Sequence, residues 1–138
     1  LLSSTPDYGY QLAKPGEIFI KEAALKIRFS EIPQEHIPDW HPTGQGTHTA
    51  YFDMDKIRFP LVIRNFRPGD RFSPLGMTGR QKLKKFFIDH KVSRTERRKC
   101  PILLSRNEII WVVGHRLDNA AKIGPQTRRL LKAELLLA

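Results

Sequence analysis

The sequence has one cysteine, Cys100, in 138 residues. A single thiol closes no internal disulfide, so the fold must rest on its core, and a reducing cytoplasm is the expected setting. No hydrophobic run approaches the ~20 residues of a membrane span, and no secretory leader is seen, so no membrane partner is expected. There is no internal repeat and no low-complexity segment. Catalytic signatures are missing as well. There is no G-x-S-x-G, and the Gly76 to Arg80 run lacks Walker spacing and its lysine. Asp53 and Asp55 stand two apart and read as part of a turn. His36, His41 and His48 share one loop, but their spacing fits no zinc pattern and no Cys pair accompanies them. No catalytic residue and no metal ligand is therefore assigned. The chain opens LLSSTP, without Met, and reads as a fragment or a processed product.

What is there is positive charge in one place. The net charge is +10. Residues 64–106 hold 13 Lys/Arg against 3 Asp/Glu, whereas residues 1–63 hold 6 against 8. Segregated charge repels itself, and a polyanion relieves it. RNA is the first candidate partner. Hydrophobic content of 40% is enough for a globular core in a chain of this length.

Hydrophobic patterning predicts many short strands. Gly16 to Ile32 reads as two strands of period two, with an ambiguous Ala23-Ala24 pair between them. Ile32 to Thr49, with three prolines and two glycines, reads as a loop. Ala50 to Phe52 and Pro60 to Phe66 read as strands, and Cys100 to Gly114 as a hairpin turning at Ser-Arg-Asn. Leu130 to Leu137 reads as a strand or short helix on the sheet. Two helices are expected. Thr78 and Gln81 match a capping box before the apolar face of Leu83, Phe86 and Phe87; Ser93 and Glu96 match a second, opening SRTERRK. The expected class is α+β. Two regions are expected: residues 1–50, a strand-rich segment packed on the rest, and residues 51–138, the RNA-binding domain.

The stretch IRNFRPGDRF, Ile63 to Phe72, sets Arg64, Arg67 and Arg71 around Arg67-Pro68-Gly69-Asp70. Pro pre-sets φ and Gly accepts positive φ, which is type II turn chemistry. Asp70 is expected to hold Arg67 or Arg71, or to close the turn. The remaining candidate contacts are Arg80, Lys82, Lys84 and Lys85 at the first helix and Arg94, Arg97 and Arg98 on the second. Arginine forks bind phosphate bidentately and lysines act as point charges. Phe66, Phe86, Phe87 and Trp111 read as core, so backbone and shape recognition of folded RNA is expected rather than stacking on single strands. Charge reversal at Arg64 plus Arg71 is expected to weaken RNA binding with little loss of melting temperature.

These residues also form a family pattern. R-N-x-R-P-G-D-R at Arg64 to Arg71, P-L-G at Pro74 to Gly76 and KLKKFFIDHK at Lys82 to Lys91 come first. E-R at Glu96–Arg97, P-I-L-L at Pro101 to Leu104 and W-V-x-G-x-R at Trp111 to Arg116 follow. Over residues 52–125 the chain resembles the C-terminal domain of bacterial tRNA(Ile)-lysidine synthetases. The resemblance implies a small β-sandwich-like fold with two helices, similar to a module of phenylalanyl-tRNA synthetase β chains. It implies a full-length enzyme that uses ATP and Mg to convert the wobble cytidine of tRNA(Ile) with a CAU anticodon to lysidine. That chemistry belongs to an N-terminal PP-loop domain with an S-G-G-x-D-S signature, which this chain lacks. The implied role here is non-catalytic: contact with the tRNA backbone and acceptor stem, with no cofactor of its own. Arg64, Asn65, Arg67, Asp70, Arg71 and Lys82 match the motif directly. Gln81 stands where the family pattern has lysine, and Lys84 or Lys85 substitutes. The rival reading is a docking module whose basic face pairs with the missing N-terminal region. Oligomeric state is left open, a homodimer included.

Overall fold

The computed structural model describes residues 5–33 and 48–137. The expected loop at 32–49, with His36 and His41, falls largely outside the described residues. Eleven strands and two helices are described, an α+β fold: β1 Gly9–Leu12, β2 Glu17–Ile20, β3 Leu25–Ile32, β4 Thr49–Asp53, β5 Leu61–Asn65, β6 Arg71–Phe72, β7 Gln81–Lys82, α1 Leu83–Asp89, α2 Arg94–Lys99, β8 Pro101–Ser105, β9 Glu108–Val112, β10 Arg116–Leu117 and β11 Leu130–Leu137.

β11 pairs along its whole length with β3, from Leu130 opposite Ile32 to Leu137 opposite Leu25. With β2 and β4 they make a four-stranded sheet; a five-stranded sheet runs β1-β5-β8-β9-β10. Both sheets draw strands from either side of position 50. The sheets pack face to face. Ile63, Leu103 and Trp111 of one meet Ile27, Phe29, Phe52 and Leu131 of the other in a single buried cluster. Phe52 and Trp111 touch edge to face, 5.9 Å between centroids. Such pairs add ~1 kcal/mol beyond area burial.

The opposite face of the five-stranded sheet is covered by α1 and by Phe72 of β6. Ile102, Leu104, Ile109 and Val112 pack there against Phe72, Leu83, Phe86 and Phe87. This explains why β8 reads PILLS without alternation: every residue of it is buried, because the strand is covered on both sides. The β8–β9 hairpin turns at Arg106 and Asn107, both at positive φ, 54° and 64°. That is the twist-matched two-residue turn, tighter than the expected Ser-Arg-Asn.

The second N-cap forms as expected: the Ser93 hydroxyl accepts from the Glu96 N–H at 3.2 Å and donates to the Glu96 carboxylate at 3.2 Å. The first does not. Gln81 pairs with Phe72 in the β6–β7 ladder, so α1 starts later, at Leu83, with Lys82 at its N-cap and no side-chain cap. A short ladder has overridden a local capping signal.

Candidate nucleic-acid interface

β5 delivers Arg64 and Asn65 to the start of the turn. Asp70 N–H donates to the Arg67 carbonyl at 3.1 Å, closing the turn, and Gly69 sits at φ +92°. An L side chain there would strain the backbone. The Asp70 carboxylate accepts the Arg67 N–H at 2.9 Å. It also takes both terminal nitrogens of Arg64, each at 2.9 Å. Asp70 therefore holds Arg64, not Arg67 or Arg71.

Two of the assigned site residues face inward. The Arg64 side chain is 12% exposed and its partner Asp70 11%. Its fork faces inward and stiffens the turn. Asn65 is fully buried. Its Oδ1 accepts the Tyr8 N–H at 3.3 Å, and its Nδ2 donates to the carbonyls of Pro6 and Arg98 at 3.3 and 3.1 Å. It joins the N-terminal segment, β5 and the end of α2.

The same tethers gather the other cations. Leu83 N–H donates to the Asp70 carbonyl at 2.8 Å, fixing α1 beside the turn and occupying a donor at its first residue. Arg71 stands directly opposite Lys82 across the β6–β7 ladder. Arg67, Arg71, Lys82, Lys84 and Arg94 are exposed and make no side-chain hydrogen bond or ion pair among the described residues. Like charges placed opposite each other destabilise a ladder, and no carboxylate pairs with Arg71 or Lys82 among the described residues.

The remaining candidates are engaged. Arg80 pairs with Glu108 at 3.7 Å and Lys85 with Asp89 at 2.8 Å, in exposed bridges that hold either cation weakly. Arg97 donates to the Val92 carbonyl at 2.9 Å. Arg98 donates to the Thr5 carbonyl and to Asp7, both at 2.9 Å, tying down the N-terminal segment. Sequence reasoning left out Lys91 and Arg106, which are exposed and make no side-chain hydrogen bond or ion pair among the described residues. Their signal was present in the charge count for residues 64–106.

Two further groups lie under this face. The buried Cys100 thiol is pushed up to about 12 by loss of water. The half-buried His115 lies edge-on to Phe87, with centroids 5.9 Å apart. Its imidazole is held below the usual histidine range by burial first and His90 second, against an opposing pull from Glu96. No three His, Cys, Asp or Glu side chains gather as a metal site among the described residues.

The family model described as the TilS substrate C-terminal domain matches residues 61–132. The chain belongs to that family. Curated relatives named tRNA(Ile)-lysidine synthase include one from Parabacteroides distasonis, 44% identical over 69% of this chain and 22% of its own length. One from Dehalococcoides mccartyi is 46% identical over 68% of this chain and 20% of its own. The TilS-family chain thus spans about a fifth of these relatives. A crystal structure of a TilS C-terminal domain superposes with a TM-score of 0.77 at 26% identity, covering 94% of this chain and 98% of that one. An N-terminal fragment of the phenylalanyl-tRNA synthetase β-subunit from Pyrococcus horikoshii shares the fold alone, with a TM-score of 0.56 at 17% identity over 67% of this chain and 29% of that one. No helix among the described residues is long and apolar enough to cross a membrane.

Proposed function

We propose that this TilS-family domain holds a tRNA by its phosphate backbone. The substrate is tRNA(Ile) with a CAU anticodon, and the domain presents it to the part of a lysidine synthase that this chain does not span. The observation that carries this is the unpaired Arg71–Lys82 couple beside a turn stiffened from within. Arg67, Lys84 and Arg94 extend the same cationic set. Preorganised donors lose less entropy on binding, and phosphate contacts set register without reading bases. ATP and Mg are assigned to the rest of the enzyme by the family resemblance. The setting is the cytoplasm, where tRNA is modified. The acceptor stem is the part of the tRNA that the family resemblance assigns to this domain.

The test is fluorescence anisotropy of the domain with labelled tRNA(Ile) and an unrelated tRNA at several salt concentrations. Five phosphate contacts imply a log–log salt slope of roughly −3.5 to −4.5. Binding with that slope, tighter for the cognate tRNA, supports the reading. No binding at low salt transfers the basic face to docking against the rest of the enzyme.

A further inference from the structure

β6 and β7 are the stem of a hairpin whose connection, Ser73 to Arg80, is eight residues long. Long connections are usually adaptable, but this one is clamped. The Asn119 side chain accepts the Gly76 N–H at 3.2 Å and donates to the carbonyls of Pro74 and Met77 at 3.2 and 2.9 Å. The buried Asp118 carboxylate accepts the Ser73 N–H at 2.6 Å. Leu75 N–H donates to the Leu117 carbonyl, and Met77 N–H to the Pro74 carbonyl, at 2.8 and 3.0 Å.

Met77 therefore has both backbone groups hydrogen-bonded, yet its side chain is 49% exposed. Gly76 and Gly79 flank it at positive φ, with open space where their side chains would stand. The tip is an apolar point on a bare, fixed backbone, carried on a stem whose outward residues are the unpaired cations Arg71 and Lys82. Cations on the stem and an apolar tip suit a polyanion with a shallow, partly apolar groove. Duplex RNA has one: its minor groove is wide and shallow and lined by riboses, whereas that of B-form DNA is narrow.

We propose that the 73–80 loop is a groove probe that seats Met77 against the riboses of an RNA minor groove while Arg71 and Lys82 hold flanking phosphates. Asn119 is the residue that positions the probe. This rests on the RNA-binding reading above and adds duplex-shape discrimination to it.

The experiment compares wild type, Met77→Ala, Met77→Leu and Arg71→Gln on a short RNA hairpin and on a DNA duplex of the same sequence, with melting curves alongside. Met77→Ala should weaken RNA binding about five- to tenfold through lost apolar contact, at unchanged melting temperature and salt slope. Met77→Leu should restore most of the affinity. On DNA the Met77→Ala effect should stay within about twofold. Arg71→Gln should flatten the salt slope by about 0.7–0.9 instead. Wild-type RNA binding with Met77→Ala unchanged, or equal losses on RNA and DNA, overturns the groove probe and leaves phosphate binding standing. No wild-type binding to either overturns both.

Discussion

Replacing Arg64 with Ala should unfold this domain at a lower temperature rather than blunt its binding face. The guanidinium gives two 2.9 Å hydrogen bonds to Asp70 and one of 3.1 Å to the Asn65 carbonyl. Without it, Asp70 keeps the Arg67 N–H but loses its counter-charge while largely out of water. Orphaning a buried charge costs about 3–5 kcal/mol. One surviving donor and slight exposure put Arg64→Ala near the lower bound, about 3 kcal/mol. At roughly 3–4 °C per kcal/mol for a domain of this size, the melting temperature should drop by about 10 °C. Thermal melts followed by circular dichroism measure it. Arg71→Gln, at an exposed and unpaired site, should stay within about 0.5 kcal/mol of wild type. The double variant Arg64→Ala/Asp70→Ala should lose clearly less than the two single losses combined, because no charge is orphaned. If Arg64→Ala melts within roughly 2 °C of wild type, the inward fork does not hold the turn and the assignment fails. The effect expected from sequence for joint reversal of Arg64 and Arg71 thus divides: stability to Arg64, binding to Arg71.

Asn65→Ala should cost about 2–4 kcal/mol, since it strands the Tyr8 N–H and the carbonyls of Pro6 and Arg98 at once; urea melts read this, and a loss below about 1 kcal/mol would remove its linking role. Cys100 should resist a thiol reagent in the folded protein and react on unfolding, because burial holds the thiol protonated up to about 12; rapid labelling under native conditions contradicts this. His115 has a folded pKa below its ordinary one, so its contribution to stability is full above that value and declines as pH falls through about 6.5. Melting temperatures from about pH 8 to 5 should show the decline, and His115→Gln should flatten it; an equal decline in both proteins places the proton elsewhere.

Local chemistry made much of this molecule readable in the chain. The Pro68-Gly69 turn, the Ser93–Glu96 cap, the buried face of Leu83, Phe86 and Phe87, and the strands around Ile27, Ile63 and Trp111 all follow from periodicity and backbone preference within a few residues. So does the concentration of cations between 64 and 106, because charge can be counted without coordinates. Long-range pairing was not readable. The sequence does not show that β11 would lie along β3, that Phe72 would take Gln81 from its capping role, or that β1 would join the five-stranded sheet. Nor could it separate the motif's arginines. Arg64 and Arg71 are the same residue type seven positions apart, and only the tertiary structure turns one onto Asp70 and leaves the other facing water. Whether a charge builds the fold or stays free for a ligand depends on which carboxylates and carbonyls surround it. That depends on contacts between residues distant in sequence, which no local pattern encodes.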